Sequence, residues 1–277
     1  MNRNPYKIDE PFVVSFSGGR TSAFMLAKII EAHGGKFPTH GLIVFANTGR
    51  EHAATLQFVR ECSENFGVDV HWIEYDSSAE SRYRVCNYDT ASRNGEPFLD
   101  MMRSRRMMPT PLRRLCTQWL KVEPIAKYAK TLGFVDATLA VGLRADEPRR
   151  VHRVAGSERM GFDYVCPMAE AGHTLDDVRA FWKLQNFDLR LPNDDRAFGN
   201  CDLCFLKGKR LLERVIRREP DRAQWWIDAE KEFGRTFRDD RANYAQLLVQ
   251  VRIQPELFGE PDTNDPEESQ IPCTCTE

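Results

Sequence analysis

Short apolar runs alternate along the first 190 residues with segments whose apolar residues recur at helical spacing. The first run, 12–16, ends at a Ser-Gly-Gly turn, and the apolar residues of 25–30 then follow one face of a helix. The later runs predict strands at 41–46, 68–75, 137–142 and 162–168, and the periodic segments predict helices at 52–66, 116–132 and 176–187. Alternating strands and helices favour an α/β fold, an open parallel sheet with helices on both faces.

The Ser17-Gly18-Gly19 turn connects the first predicted strand to the first predicted helix. Two glycines allow the backbone to come close to a bound group, and the start of a helix presents unpaired N–H groups and a positive dipole end. This pattern predicts an anion site, with phosphate as the anion. The alternative is a tight turn that binds nothing.

Polar residues follow two other predicted strands. Asn47-Thr48-Gly49 comes directly after 41–46, and Arg144 and Glu147 come after 137–142. The carboxyl ends of parallel strands meet at one edge of a sheet, where ligands bind. A guanidinium at such an edge can hold phosphate or sulfate oxygens as a fork, so Arg144 is the main candidate for a clamp.

Composition limits the class of protein. The chain has 277 residues, 42% hydrophobic and 29% charged, with a net charge of −2. No apolar run has the length of a membrane span, and the first residues lack an apolar signal core, so we expect a cytoplasmic protein with no membrane partner. Eight cysteines without an export signal favour metal, cluster or redox chemistry over structural disulfides.

A basic segment at 77–115 interrupts the alternation. Between Arg82 and Arg114 there are eight arginines against three acids. One interpretation is a solvated insertion with a helix near 97–107. The other is a lip over the site that receives a nucleic-acid backbone or a second nucleotide.

The region after residue 190 is predicted to be helical and carries most of the notable cysteines. We divide the chain into an α/β domain at 1–190, a helical subdomain at 191–253 and an acidic tail at 254–277. Cys201-x-x-Cys204 has the spacing of a metal or cluster clip, and Cys273 and Cys275 lie in the tail. Cys116 begins a predicted helix, where the dipole favours its thiolate. Unligated cysteines are the alternative.

Four of these blocks together resemble a known family. Ser17–Ser22 resembles the Ser-Gly-Gly-x-Asp-Ser loop of the PP-loop ATP pyrophosphatases and the phosphoadenosine phosphosulfate (PAPS) reductases, with Thr21 in the position of the usual Asp. Asn47-Thr48-Gly49, the Cys-x-x-x-Lys-x-x-Pro-like stretch 116–124 and the block 142–147 resemble further family segments in the same order. The resemblance covers about residues 10–190.

The resemblance implies a fold like that of the adenine nucleotide alpha hydrolases, ATP or a related adenine nucleotide as ligand, and Mg²⁺. It implies catalytic roles for Cys116 and Arg144. It also implies nucleotide contacts by a larger set of residues: Ser15, Ser17, Gly18, Gly19, Arg20, Thr21, Ser22, Asn47, Thr48, Gly49, Lys121 and Glu147.

Relatives that transfer sulfur to tRNA or into DNA are associated with a 4Fe-4S cluster. By resemblance, Cys116, Cys201 and Cys204 could hold such a cluster and leave one iron open. Zn²⁺ is the alternative, bound for instance by Cys201, Cys204, Cys273 and Cys275.

Three functions remain open. The first is adenylation of an acceptor, which would be a nucleic acid at Arg82–Arg114, followed by sulfur transfer from a donor protein. The second is reduction of PAPS with thioredoxin. Such reductases resemble one another in a C-terminal Glu-Cys-Gly-Leu-His segment, whereas this chain ends in Cys-Thr-Cys-Thr-Glu. The third is nucleotide or nucleic-acid binding without catalysis. A homo-oligomer is compatible with each.

Overall fold

A computed structural model describes residues 3–253 of the chain. Seven strands form one sheet in the order β4-β3-β2-β1-β5-β7-β6. The strands are β1 (Phe12–Phe16), β2 (Gly41–Asn47), β3 (Val70–Tyr75), β4 (Tyr83–Cys86), β5 (Ala137–Val141), β6 (Glu158–Arg159) and β7 (Phe162–Val165). Strands β3, β2, β1, β5 and β7 run parallel, which confirms the predicted α/β class.

The two edge strands depart from the predicted parallel sheet. β4 pairs antiparallel with β3, and β6 pairs antiparallel with β7. β4 lies inside the segment 77–115, so part of the supposed insertion extends the sheet. Its residues are largely exposed, with Val85 59% exposed, and a strand without a buried face gives no apolar run in the sequence.

Eleven α-helices lie in the described part of the chain. They are α1 (Arg20–Ala32), α2 (Ala53–Phe66), α3 (Glu96–Arg105), α4 (Leu115–Thr117), α5 (Glu123–Thr131), α6 (Pro148–Val154), α7 (Pro167–Glu170), α8 (Leu175–Trp182), α9 (Lys209–Arg218), α10 (Arg222–Phe233) and α11 (Tyr244–Ile253). The helix predicted at 116–132 is not a continuous α-helix, because a π-helical turn at Gln118–Val122 separates α4 from α5.

Helices cover both faces of the sheet. Alternate residues of β1 point to opposite sides, so Phe12, Val14 and Phe16 join one hydrophobic cluster while Val13 joins the other. Residues of α1, α2 and α8 lie in the first cluster, and residues of α5 and α6 lie in the second. Burial on both faces explains why the central strands are continuous apolar runs.

The larger cluster extends into the helices after residue 190. Phe98 of α3 contacts Trp225 and Trp226 of α10 edge to face, with ring centroids 5.4 and 5.9 Å away. Trp226 is fully buried, as expected for a core tryptophan. A common hydrophobic cluster therefore joins the two regions, and the boundary near residue 190 stays a prediction. Among residues 3–253, the helices are all too short or too polar to cross a membrane.

Candidate functional site

The Ser17–Ser22 loop lies where the strand order reverses. β1 has β2 on one side and β5 on the other, so chain connections lead away from it in both directions. In sheets of this kind ligands bind in the crevice outside the carboxyl ends of the strands at such a switch point. Three predicted segments lie there: the loop after β1, the Asn47 loop after β2 and the Arg144 segment after β5.

Hydroxyl groups brace this loop from within. The Ser17 and Ser22 Oγ atoms are 2.9 Å apart, the Ser17 N–H donates to Ser22 Oγ, and Ser22 Oγ donates to the Gly19 carbonyl oxygen at 3.0 Å. Helix α1 begins at Arg20, and no side chain in the described structure caps its N-terminus. The first N–H groups of a 13-residue helix are thus left for an anion.

Gly18 has no room for a side chain. Its φ of +77° lies in the left-handed region, and an added Cβ would lie 2.9 Å from methyl groups of both Thr55 and Val59. Both residues belong to α2, which packs under the loop. Glycine at this position therefore allows the loop to sit directly on α2.

Arg144 reaches the loop from the end of β5. Its Nη1 donates to Thr21 Oγ1 at 3.3 Å, and its Nε donates to Asp146 at 2.9 Å. Glu147 accepts from the Arg144 backbone N–H at 3.1 Å and also forms an ion pair with Arg150. Arg144 is buried, and these partners hold its guanidinium beside the loop; its role as a clamp stays a prediction.

The side chain of Arg20 binds two aspartates rather than the other residues that were predicted to bind the nucleotide. Its guanidinium makes two 2.7 Å bonds to Asp188 and a 2.6 Å ion pair with Asp194. The Trp182 indole also donates to the Arg20 carbonyl oxygen. The side chain of Arg20 therefore ties the loop to residues 182–194, which a reading of local sequence could not reveal.

The Asn47 side chain is fully buried, and its hydrogen bonds are internal. Both N–H bonds of the amide are used, one to Glu74 at 2.6 Å and one to the Ser92 carbonyl oxygen at 2.8 Å. Its oxygen accepts from the Gly49 N–H. Asn47 therefore holds the loop in shape. A contact between its amide and a ligand, as predicted, would require one of these internal hydrogen bonds to break.

Thr48, Glu51, Lys121 and Cys201 form a polar cluster beside this loop. Thr48 Oγ1 lies 3.4 Å from Cys201 Sγ, and Glu51 accepts from both the N–H and the hydroxyl of Thr48. Lys121 Nζ lies 3.9 Å from Glu51. Burial and the Glu51 carboxylate raise the pKa of the Cys201 thiol well above its usual value, against the opposing effect of Lys121. Glu51 was not predicted, although it follows Asn-Thr-Gly closely.

The cysteine clip is bound to the Asn47 loop by backbone and side-chain contacts. Glu51 and Cys201 form an antiparallel bridge, and the Asp202 N–H donates to the Arg50 carbonyl oxygen at 2.9 Å. The Asp202 carboxylate is fully buried, forms an ion pair with Arg50 and accepts from the Trp226 indole at 3.0 Å. Asp202 was missed because it occupies an unconstrained position between the two cysteines.

Lys207 holds the turn that carries the clip. Its buried ammonium donates to the carbonyl oxygens of Ala197, Gly199, Cys201 and Asp202 at 2.5–2.9 Å. The sequence predicted only that the region after residue 190 is helical. The burial of a lysine three residues after Cys204 is a feature that only the folded chain displays.

The three cysteines predicted to hold a cluster are not brought together. Within residues 3–253, no group of three His, Cys, Asp or Glu side chains could hold a metal ion. Cys116 is buried in α4, and Cys201 and Cys204 lie in the clip. Neither a cluster at Cys116, Cys201 and Cys204 nor zinc at the clip alone fits this arrangement. Cys273 and Cys275 lie outside the described residues.

Of the remaining residues predicted to contact the nucleotide, Ser15 lies in a strand and Gly49 lies in a loop. Ser15 lies within β1 opposite Val44 and Val141, so it is part of the strand and not of the loop. Gly49 has a φ of +77°, and an added Cβ would lie 3.0 Å from the Gly95 nitrogen, so a side chain has little space there. Cys86 and Cys166, which were not assigned a role, have thiol pKa values raised to about 12 by burial.

Most arginines of the 82–114 segment have partners within the protein. Arg84 and Arg103 form ion pairs with Glu74 and Glu232, and Arg105 lies over the Trp119 ring at 4.4 Å. Arg82 and Arg93 donate to backbone carbonyl oxygens. These contacts engage five of the eight arginines, and binding of a nucleic acid or a second nucleotide at this segment stays a prediction.

A serine-glycine loop at the switch point of a parallel sheet, opposed by an arginine from the neighbouring strand, defines a PP-loop α/β protein. The sequence profile of the phosphoadenosine phosphosulfate reductase domain matches residues 11–160. The chain belongs to this family. It is also 32% identical over 215 residues, 75% of its own length and 70% of the other's, to the uncharacterized nin region protein ORF290 of Escherichia phage lambda.

Two solved structures are similar at low identity. A PAPS reductase from Candida auris in complex with phosphate is 17% identical, with a TM-score of 0.41 over 62% of this chain and 71% of that one. The U34-tRNA thiolase NcsA from Methanococcus maripaludis, with its 4Fe-4S cluster, is 12% identical, with a TM-score of 0.44 over 99% and 82%. At these values neither similarity extends to function.

Proposed function

We propose that the protein is an enzyme that binds ATP or a related adenine nucleotide at Ser17–Ser22 and adenylates an acceptor for sulfur transfer. The observation that carries the proposal is the contact between Arg144 Nη1 and Thr21 Oγ1 across the switch point. It brings an arginine fork to a loop whose helix start has no side-chain cap among the described residues.

The electrostatics of the loop support the proposed binding of phosphate. The start of α1 contributes N–H groups and a positive dipole end, and Gly18 and Gly19 allow close approach of the backbone. Arg144 adds a positive charge whose orientation Asp146 and Glu147 fix. Because these groups are held in place before a ligand arrives, they would stabilise the charge that develops on transferring phosphate oxygens.

Mg²⁺ would reach this site mainly through the nucleotide. The loop offers the hydroxyls of Ser17, Thr21 and Ser22, and Thr21 stands where the family pattern has a carboxylate. Mg²⁺ commonly keeps phosphate oxygens and water as most of its ligands. A Mg²⁺ ion bound between these hydroxyls and the phosphates of the nucleotide would have the oxygen ligands that it prefers.

The reaction consists of two displacements. An acceptor oxygen attacks the α-phosphorus of ATP, a new P–O bond forms and pyrophosphate leaves. Sulfur at the oxidation level of sulfide, supplied by a donor, then attacks the acceptor carbon, and AMP leaves with the acceptor oxygen. The protein contributes mainly positioning and charge stabilisation to both steps.

Cys201 supports the sulfur half of the proposal. Its thiol lies beside Thr48 at the end of β2, which adjoins the strand that carries the phosphate loop. A protonated thiol at this place can donate a weak hydrogen bond to the incoming sulfide-level sulfur without itself changing oxidation state. Since its pKa is raised in the closed cluster, the thiol would remain protonated until a substrate or donor changes its surroundings.

Nucleotide binding is the first test. We expect calorimetry of the full chain to detect ATP binding that weakens by about 10-fold or more in Arg144→Ala, which removes a charged contact. A Ser17→Ala, Gly19→Ala double variant, which removes a bracing hydroxyl and hinders close approach of the backbone, should weaken binding similarly. Lys36→Ala, at an exposed residue before β2, is the control and should bind ATP as the parent does. Thermal melts of all variants separate lost binding from lost folding.

Product analysis is the second test. With ATP, sulfide and bulk RNA or DNA, the parent should release AMP and pyrophosphate in equal amounts. Sulfite release from PAPS with thioredoxin, and no pyrophosphate release, would establish the reductase alternative instead. No turnover of either nucleotide would favour the third, non-catalytic function.

A further inference from the structure

Helix α6 presents a basic outer face. Arg149, His152 and Arg153 are exposed and stand at positions i, i+3 and i+4, so they lie on one side of the helix. None of the three side chains has a hydrogen bond or ion pair with another residue of the described range 3–253. From Pro148 to Ser157 the chain contains no acid.

This face starts at the phosphate site. Glu147, which immediately precedes α6, accepts from the Arg144 N–H and forms the ion pair with Arg150. The 7 residues of α6 extend roughly 10 Å from that point at about 1.5 Å per residue. Arg149 and Arg153 therefore form a short strip of guanidinium groups on a helix that begins four residues after Arg144.

The opposite face of α6 fixes the strip on the protein. Val154 is buried in the second hydrophobic cluster, and Val151 packs against it. No apolar side chain is therefore left on the outer face of α6 to anchor a protein partner, and such anchors dominate protein–protein interfaces. Binding to a phosphodiester backbone needs charge and hydrogen-bond donors but no apolar anchor.

The strip differs from the arginines of the 82–114 segment. There, five arginines are engaged by carboxylates, carbonyl oxygens or an aromatic ring, as described above. Arg106 and Arg113 are the exposed arginines of that segment for which the described structure gives no side-chain partner. The two are separated from the switch point by α4 and the π-helical turn in the chain, whereas α6 follows Arg144 directly.

We propose that the outer face of α6 binds the phosphodiester backbone of a nucleic-acid strand and leads that strand to the Arg144 site as the acceptor. The inference rests on the proposed function, because it names the class of acceptor. Repeated positive charges along a strip suit an extended polyanion, whereas a single phosphate would use only one of them. Arginine forks are matched to phosphate oxygens.

The test measures binding of fluorescently labelled single-stranded RNA and DNA 20-mers to the full chain by anisotropy over a salt series. Arg149→Glu with Arg153→Glu should weaken binding by about 10-fold or more at low salt. Arg149→Ala with Arg153→Ala should lower the slope of log affinity against log salt by about 2, roughly one for each lost phosphate contact. Lys36→Glu with Lys183→Glu changes the net charge equally on other exposed surfaces and should have a much smaller effect.

Other results would overturn the inference. One is that the Arg106→Glu, Arg113→Glu double variant loses oligonucleotide binding while the α6 variant binds normally. That result would assign the binding surface to the 82–114 segment. Another is no binding of either oligonucleotide at low salt, or binding only to an acidic polypeptide such as polyglutamate. ATP binding is measured separately on the parent, so failure of the nucleotide site and failure of this surface give different results.

Discussion

Arg144 and Thr21, 123 positions apart in the chain, are joined by a hydrogen bond of 3.3 Å between Nη1 and Oγ1. Thr21 is only 4% exposed. Where the family pattern places a carboxylate, this chain has a neutral hydroxyl against a fixed arginine. The loop therefore carries one negative charge fewer than an Asp at this position would give it, which favours an anionic ligand.

Replacing Thr21 tests that contact. Thr21→Val keeps the shape but removes the acceptor, so Arg144 loses one partner beside the phosphates. We expect ATP affinity to fall about 5- to 10-fold, the effect of roughly 1 kcal/mol for one hydrogen bond. Calorimetric titration measures the change, and Thr21→Ser, which keeps the hydroxyl, should restore most of the affinity. Equal binding by the Val and Ser variants would place the phosphates elsewhere.

Gly18→Ala should destabilise the protein more than the same change at Gly34. Both glycines have a φ of +77°, so both variants incur the left-handed backbone cost of about 1–2 kcal/mol. Only at Gly18 does the new methyl group meet other atoms, those of Thr55 and Val59, which adds about 1–3 kcal/mol of overpacking. Urea unfolding of the two variants gives the difference directly, and equal losses would contradict the close packing of the loop on α2.

Asp202→Ala should lower the free energy of unfolding by about 3–5 kcal/mol, because it leaves Arg50 buried and without its carboxylate. The loss should appear in urea unfolding as a shift of the midpoint. Asp240→Ala removes a carboxylate that is 58% exposed and pairs with Arg238 at the surface, so it should have little effect. A small effect at Asp202 would mean that the clip and the Asn47 loop are not held together by this ion pair.

His52 should make stability depend on pH. Burial, and then the nearby Arg222, lower its pKa in the folded protein below the ordinary value of 6.5. The unfolded chain therefore takes up a proton more readily, and the contribution of His52 to stability is present above that value and is lost as the pH falls through the lowered folded pKa. Protonation also removes the acceptor, Nδ1, that caps α2 at the Ala54 N–H.

Urea unfolding at about pH 7.5 and about pH 5.5 measures this dependence. His52→Asn provides the control, because asparagine is a good N-cap and does not titrate. The parent should lose more stability on acidification than the variant does. The same loss in both proteins would assign the pH dependence to other groups.

Local sequence sufficed for the parts of the site that lie within one strand and the turn after it. The apolar run 12–16 predicted β1 and the glycine turn that follows it, and the same reasoning placed Arg144 shortly after β5. Helix α8 begins at Leu175, close to the predicted start at 176, because Thr174 and Asp177 form a capping box there, although it ends at Trp182 and not at 187. Each of these depends on residues a few positions apart.

Contacts between distant segments could not be predicted in the same way. Arg20 has the sequence position of a ligand residue, but its partners Asp188 and Asp194 are about 170 positions away. The bridge between Glu51 and Cys201 likewise exists only after the chain has folded. The three cysteines were grouped by analogy, and nothing in their spacing could decide which of them are neighbours.

Lys207 gives the cysteine turn a cation that cannot diffuse away. Four carbonyl oxygens converge on its ammonium, more acceptors than the group has hydrogens, in the manner of a small ion-binding cage. A free ion in such a cage would exchange with the solvent and be removed by dialysis or chelators. Since this ion is tethered to the chain, the turn that carries Cys201 and Cys204 keeps its shape whatever salts surround the protein.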